Sequence, residues 1–399
     1  MKRVAVLGGG PAGAFAAERL AAAGLETILI DDKLAWEKPC GGGVTYKAYS
    51  RYPFLLDNDM PKRLVTETVL AAPRVGAAKL ALAHPLVIYS RYDLNLLLLQ
   101  RAARAGARLE KTWVREATYD GRRWKLQTSD GVLEADFVIA ATGARNPLRN
   151  LGTELTAADT MSALGYFVPA EQAHIDIQFL PHLEGYIWVF PRCGHLSVGI
   201  CGKGVPAQAL RTRLEEFMQE RCISWQDAQF YAHVIPSLET PAWRHNRVAG
   251  HGWLAVGDAG GLVDPVTGEG LYYALRSAEL ASQVLLAEAQ APAEKPRAYR
   301  ALLMRDFIVD LAFAAGLAKR LFLGKVLFQS VPERMIQLMR RSPRFASLMQ
   351  DLFAGTQNYL TLKTRLLRNL HGTLLETVVN FLLSRMVPGE SPMSGESPL

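Results

Sequence analysis

The chain reads as an α/β protein: a parallel-sheet unit interrupted by an antiparallel sheet and followed by a helical C-terminal region. Three stretches carry this reading. "RVAVLGGG" is a short apolar run ending in glycines, "AGAFAAERLAAAG" is an alanine-rich helix stopped at Gly24, and "ETILIDD" is a second apolar strand. Strand, helix and strand within about thirty residues is the size of a Rossmann-like dinucleotide unit. From about residue 160 to 245 the pattern turns β-rich and aromatic, with "HIDIQFL", "GYIWVFP" and "HLSVGI" as strands. Beyond "GWLAVGDAGGLVDP" the pattern is helical nearly to the end, broken at Pro292, Pro296, Pro332 and Pro343.

Taken in order, Gly8-x-Gly10-x-x-Gly13 falls between the first strand and its helix. Gly8 allows the tight turn, Gly10 lets a pyrophosphate approach the backbone, and Gly13 lets helix and strand pack closely. Pro11 and Ala12 complete this loop, where free N–H groups and the helix dipole favour an anion. Asp31, followed by Asp32, ends the second strand and is placed to hold a ribose hydroxyl. Next comes "EKPCGGGV", in which Cys40 precedes Gly41, Gly42 and Gly43. A glycine run costs backbone entropy, so it implies a close approach or a turn that other residues refuse.

"PLVIYS" then reads as a strand and "RYDLNLLLLQRAARAG" as a helix with leucines at 94, 97 and 98, stopped at Gly106. "TYDGRRWKLQTSDGVLEADFVIAATG" reads as a β-meander turning at Asp120-Gly121 and Asp130-Gly131, leading to an apolar strand that ends at Thr142-Gly143. In "GYIWVFP" the period of two sets Tyr186, Trp188 and Phe190 on one face as an aromatic wall. "GDAGGLVDPVTGEG", from Gly257 to Gly270, follows the strand "WLAV". Asp258 sits at the strand end, and the loop Pro265–Gly270 leads into the helix "LYYALRSAELAS", whose N-terminus favours developing negative charge.

The bulk properties exclude several classes. The chain has 399 residues, enough for two or three domains, and 49% are apolar. Cys40, Cys193, Cys201 and Cys222 show no C-x-x-C pairing, so neither a metal site nor a disulfide framework is expected. The eight histidines lack ligand spacing, and Ser162, Ser197 and Ser237 sit in no nucleophile elbow, which removes hydrolase chemistry. No uncharged apolar run approaches a membrane span. The formal charge is +7, and between Arg297 and Arg385 fourteen Lys/Arg face five Asp/Glu. Basic residues interleaved with Leu, Phe, Val and Met point first to a membrane surface, then to an anionic substrate. Nucleic acid is not expected. "TLLETVVNFLLSRMVPG" reads as a helix either lying on a bilayer or packed in a bundle, and "PGESPMSGESPL" as a disordered tail.

The glycine fingerprint with Asp31, together with "GDAGGLVDPVTGEG", resembles the FAD-binding signature of the para-hydroxybenzoate hydroxylase-like flavoproteins. Within that group "KPCGGG", "SRYDLNLLL" and "GYIWVFP" resemble the geranylgeranyl reductase family, over roughly Met1 to Gln290. The resemblance implies an FAD-binding domain at 1–75, 92–160 and 246–290, with an inserted antiparallel substrate sheet at 76–91 and 161–245. A helical region at 291–388 and a tail at 389–399 complete the chain. It also implies Asp31 on the adenosine ribose, Arg91 beside the ribityl and pyrophosphate portion, and Asp258 on the ribityl chain. Gly268 to Gly270 would cover the pyrimidine edge of the flavin, and the aromatic wall would border a long apolar pocket in front of it. The glycines at 41 to 43 would lie against the ring, with Cys40 at the reacting face. Where hydroxylases often carry Asp-Gly, this chain has "ATGARNPLR". With no second nucleotide fingerprint, electrons are expected from transiently docked NAD(P)H or a partner redox protein.

The activity so implied is reduction of carbon–carbon double bonds in an isoprenoid chain of a lipid, quinone or prenyl diphosphate, by hydride transfer from reduced flavin. Cys40, Tyr186 or water would donate the proton, and Trp188 would stand near developing charge. The alternative is an FAD-dependent monooxygenase or halogenase acting through a flavin hydroperoxide. Halogenases of this fold carry a W-x-W-x-I-P strand, whose first tryptophan is Tyr186 here. A lipid-escort protein without cofactor is disfavoured by the intact fingerprint and Asp258. A cytoplasmic monomer touching the inner face of the cell membrane is expected.

Overall fold

The computed structural model describes residues 2–148, 150–287, 291–326, 328–362 and 364–366. The 389–399 tail and the "TLLETVVNFLLSRMVPG" segment lie outside the described residues.

The first strand, Arg3–Leu7, is central in a six-stranded sheet. Phe137–Ala140 and Glu26–Ile30 flank it in parallel, with Val4 opposite Phe137 and Val6 opposite Leu29. Trp253–Ala255 and Arg108–Glu110 extend the parallel order, and the short Ala249–Gly250 pairs antiparallel at one edge. Parallel strands covered on both faces are apolar throughout, hence the near-continuous burial of "VAVL" and "FVIA". The fingerprint helix Pro11–Ala22 packs on one face with helices Arg91–Arg104 and Leu271–Leu286. In Arg91–Arg104 the buried leucines are 94, 98 and 99 rather than 97, and the Ser90 side chain caps the first turn by accepting from the Asp93 amide. The expected meander is a separate sheet of Val114–Tyr119, Trp124–Thr128 and Val132–Ala135.

The second large sheet has eight strands. Thr160–Val168, His195–Gly202 and Gly185–Arg192 form its antiparallel heart, with Gln229–Pro236 at one edge. Residues 62–75 depart from the sequence expectation, which left them in the nucleotide unit. Lys62–Ala72 forms a long hairpin with Gly76–Tyr89 and pairs in parallel with Ile175–Phe179, so this segment belongs to the second sheet. Gly43–Val44, just after the glycine run, adds to the same sheet beside Val87 and Ile88. Its outer face packs Ile187, Val189 and Val198 against the helix Ala207–Glu220.

The C-terminal region is helical in Lys295–Leu303, Val309–Leu323, Val331–Arg341 and Pro343–Ala354. Pro296, Pro332 and Pro343 open three of these helices rather than merely breaking one. At an N-terminus the missing N–H costs nothing. A small hairpin, Lys325–Val326 with Gln329–Ser330, interrupts the helices where unbroken helix was expected. These helices pack Phe322, Ile336, Phe345 and Leu348 against the inner face of the second sheet.

Candidate active site

Between the two sheets and the C-terminal helices lies one continuous cavity of about 480 Å³. At its nucleotide end Gly8, Gly10, Pro11, Ala12, Asp31, Arg91, Thr142, Gly143 and Asp258 contribute to the lining. The glycines divide their roles. A Cβ on Gly8, whose φ is +114°, would overlap the Ala141 carbonyl, and one on Gly13 would overlap the Gly8 carbonyl. A Cβ on Gly10 would meet nothing within 4 Å, so its missing side chain leaves open space over the start of the helix. Asp31 buttresses this loop: Oδ2 accepts from the Gly9 amide at 2.6 Å, and Oδ1 from Lys33 at 2.8 Å and Leu34 at 2.5 Å. The chain turns there and leaves Asp32 exposed and outside the cavity lining. Gly13, Gly257 and Pro265 likewise stand behind the wall. Gly257 is packed so that a Cβ would come within 3.1 Å of Ala12 Cβ.

Asp258 is half-buried beside the loop Glu37–Gly43, where Lys38 Nζ bonds its Oδ2 at 3.1 Å. Burial pushes its carboxyl up, yet Lys38, by charge and hydrogen bond, and Arg91 hold it below the usual range. His233 is driven down to about 4, by burial first and then by the nearby cations Lys38, Arg145 and Arg91, so it stands neutral. The loop Pro265–Gly270 also lines the cavity, through Gly268 and Gly270. One amide of the following helix is already taken, because Glu269 Oε1 accepts from Tyr272 N at 2.7 Å. Burial pushes the Glu269 carboxyl up to about 7.

The glycine run is held from the second sheet by residues that the sequence reading passed over. Arg192, with a side chain 0% exposed, pairs through Nη1 with Glu37 and donates through Nη2 to the Cys40 carbonyl. Its guanidinium lies 5.0 Å from the centre of the Phe167 ring. Ser197 Oγ also donates to the Cys40 carbonyl, at 3.0 Å. Glu37 accepts from the Arg91 and Tyr92 amides at 2.9 and 3.1 Å, so it also caps the helix that carries Arg91. Burial raises its carboxyl, but Arg192 and those two amides bring it below its ordinary value. Arg192 follows Tyr186, Trp188 and Phe190 at the same period of two, which is the signal that could have found it.

The three aromatics do share one face, and all three line the cavity. Trp188 fills the space left by Gly199 and donates to Ser197 Oγ at 3.4 Å. Tyr186 donates to the Thr267 carbonyl at 2.5 Å, and burial holds its hydroxyl well above the ordinary range. Phe190 lies under the glycine loop, where a Cβ on Gly41 or Gly43 would come within 3.2 or 3.1 Å of its ring. Cys40 lines the cavity, and its Sγ accepts from the Gly42 amide at 3.3 Å. Away from the nucleotide end the lining is apolar, with Phe179, Leu317, Leu321, Phe322, Met335, Met349 and Phe353. Tyr359 ties this helical cover to the Pro265–Gly270 side by donating to Asp264 Oδ2 at 2.8 Å.

The nucleotide end fits FAD. Gly10 leaves a cradle that any side chain would fill, over a helix start with no acidic residue in its first turn. Arg91, 4% exposed, and Thr142 both line it, with Arg91 Nε and Thr142 Oγ1 buried and without partners. An anionic and hydroxyl-rich nucleotide would supply those partners.

A scan against models of protein families finds no match. The chain is 30% identical over 324 residues to the chloroplastic geranylgeranyl diphosphate reductase of Arabidopsis thaliana, covering 72% of this chain. The match spans 66% of that plant protein's length. It is also 30% identical over 313 residues to digeranylgeranylglycerophospholipid reductase 2 of Methanothermobacter thermautotrophicus, covering 70% of this chain and 77% of that protein. The fold is that of a geranylgeranyl bacteriochlorophyll reductase-like protein from Thermoplasma acidophilum, at TM-score 0.75 and 22% identity over 92% of this chain and 99% of that one. A flavin-dependent brominase shares it at TM-score 0.67 and 16% identity, over 88% and 93% of the two chains. The fold alone therefore does not distinguish reductases from halogenases; the sequence relatives given above are named as reductases. With the fingerprint, the cavity and these relatives together, the chain belongs to the geranylgeranyl reductase family of FAD-dependent oxidoreductases.

Proposed function

We propose that this chain reduces carbon–carbon double bonds in an isoprenoid chain borne by a lipid, quinone or prenyl diphosphate. The observation that carries the reading is the continuity of the cavity. The cradle at Gly10 and the apolar space under Phe179, Phe322 and Met349 are parts of one cavity, with Cys40, Tyr186 and Phe190 also in its lining. Bound FAD, once reduced by NAD(P)H or a partner redox protein, supplies the hydride. Asp31, Arg91, Thr142 and Asp258 would hold the nucleotide, with Gly268 to Gly270 lining the same cavity beside it.

The residues of the wall bind the chain and exclude water. An apolar substrate gains about 0.8 kcal/mol for each methylene buried, so a five-carbon unit is worth several kcal/mol of positioning. Of the two side chains weighed as proton donors, Tyr186 has its hydrogen committed to the Thr267 carbonyl and a hydroxyl held well above the ordinary range. Cys40 lines the same cavity, and its Sγ takes part in the Gly42 contact as the acceptor, so that contact does not commit its own hydrogen. We therefore assign proton donation to Cys40.

Anaerobic turnover with prenyl substrates, followed by mass spectrometry, tests the reading. Reduction should persist without oxygen and add about two mass units per double bond saturated. A product gaining one oxygen atom, formed only in air, would replace the reductase reading by oxygenation.

A further inference from the structure

We propose that the hairpin of Lys325–Val326 and Gln329–Ser330, through Val326 and Phe328, docks on an anionic lipid bilayer beside the cavity wall. The helix Val309–Leu323 lines the cavity with Leu317, Leu321 and Phe322, and Val331–Arg341 lines it with Met335. The hairpin joins these two helices. One residue beyond the wall, the apolar character turns outward. Leu323 is 40% exposed, Val326 49% and Phe328 99%, and Phe328 has a φ of +67°. A phenylalanine wholly in water at the tip of a tight hairpin buries nothing in the fold, and a β-branched or bulky residue at positive φ is an outlier.

The surroundings select the partner. Between Lys319 and Arg344 seven Lys/Arg face one Asp/Glu, an excess of six within a chain of formal charge +7. That single acid, Glu333, is buried and shares a reciprocal cap with Ser330. Lys319, Arg320 and Lys325, within nine residues of Phe328 in the chain, are exposed. Exposed apolar side chains in a segment rich in exposed cations match the interface of an anionic bilayer, where each Lys or Arg adds attraction and aromatic groups enter the headgroup layer. Among the described residues no helix is long and apolar enough to cross a membrane, so contact of this kind is peripheral. The inference rests on the isoprenoid reading in one respect: a lipid-borne chain must leave the bilayer near the cavity that receives it.

Flotation of the FAD-loaded full chain with phosphatidylcholine vesicles, with and without phosphatidylglycerol, tests it. Wild type should float with the anionic vesicles. Phe328→Ser should lower its partitioning by roughly ten- to hundredfold, since it removes one large buried apolar group. Lys325→Glu should lower it by about fivefold or more, and added salt should do the same. Both variants should unfold at the wild-type temperature and reduce a short, detergent-dispersed prenyl substrate at the wild-type rate. Wild type that stays off the vesicles, or Phe328→Ser that floats equally well, overturns the proposal whatever the enzyme does in detergent. A Phe328-dependent dimer in sedimentation velocity, without vesicle binding, overturns it in favour of a second copy of the chain. A lowered unfolding temperature in Phe328→Ser, without vesicle binding, overturns it in favour of cover by the chain itself. Failure of prenyl reduction while flotation holds would instead count against the isoprenoid reading.

Discussion

Replacing Arg192 by methionine isolates the clamp on the glycine loop. Methionine keeps much of the volume but removes the ion pair with Glu37, the donation to the Cys40 carbonyl and the stacking over Phe167. Breaking a buried pair by deleting one partner costs about 3–5 kcal/mol. The lower end applies here, because Glu37 keeps the Arg91 and Tyr92 amides and is not left wholly uncompensated. A loss of about 3 kcal/mol should lower the thermal midpoint by roughly 4 °C in a chain of 399 residues. FAD affinity should change much less, since the Gly10 cradle and Asp31 stand apart from the clamp. Turnover should fall with little change in KM, as Cys40 loses its register.

The pH dependence fixes the cause. Glu37 titrates below its ordinary value in the fold, although burial opposes this, because Arg192 and the two amides favour its charged form. Its stabilisation is therefore present above the unfolded carboxyl range and lost as pH falls through the folded value. The gap between wild type and variant should accordingly be widest near neutrality and narrow in acid. A double-mutant cycle with Glu37→Gln should show coupling of about 0.5–3 kcal/mol. An Arg192→Met protein with unchanged midpoint and turnover, or a gap that does not vary with pH, would refute the clamp.

Three further outcomes follow from the site. Gly10→Val should yield a stably folded but colourless protein, with FAD affinity reduced on the order of a hundredfold or more, because the new side chain occupies the cradle. Absorbance of the purified protein checks this, and a yellow variant would show that the pyrophosphate lies elsewhere. Cys40→Ser should retain FAD, with its hydroxyl accepting the Gly42 amide, but slow alkene reduction by roughly 10²–10⁴; single-turnover reoxidation at the wild-type rate would remove the thiol from proton transfer. Glu279 is held at about 2, against an ordinary 4.5, by Arg51, Tyr52 and Arg276 despite its burial. That is worth about 3 kcal/mol at neutral pH, kept above pH 4.5 and lost as pH falls toward 2, so Glu279→Gln should flatten the acid limb of the unfolding curve.

What was legible in the sequence was what depends on near neighbours. The fingerprint could be read because each glycine answers a backbone demand set within a few residues, and "GYIWVFP" because a strand fixes sidedness by its period. The same period reaches Arg192, but the strand was read only as "GYIWVFP", which stops at Pro191. Glu37 and Lys38 meet their partners, Arg192 and Asp258, across 155 and 220 residues, and no local pattern announces such pairs. The helical cover was read as helix but not as part of the cavity, since Phe322 and Tyr359 acquire roles only against Tyr186 and Asp264. Residues 62–75 and the hairpin at 325–330 were misassigned for a related reason. Strand pairing is decided by the partner, and the run Leu321 to Phe328 fits a helix until its exposure is known.

The glycine run is where the two kinds of reasoning divide. A ligand pressing on the backbone seemed the natural explanation for Gly41, Gly42 and Gly43, yet the fold itself makes the demand. Gly42 has a φ of +84°, and a Cβ there would overlap the Tyr89 carbonyl, while Gly41 and Gly43 rest on the Phe190 ring. The Tyr89 amide in turn donates to the Gly42 carbonyl at 3.0 Å, which ties the loop to the second sheet. These glycines let the loop lie flat on the sheet, with the Cys40 carbonyl turned to Arg192 and Ser197 and the Cys40 side chain in the cavity lining. Gly10 is the contrasting case, since nothing in the protein fills the space it leaves. The fold around Cys40 thus itself requires the run at 41–43, whereas at Gly10 the protein leaves space that the proposed nucleotide would fill.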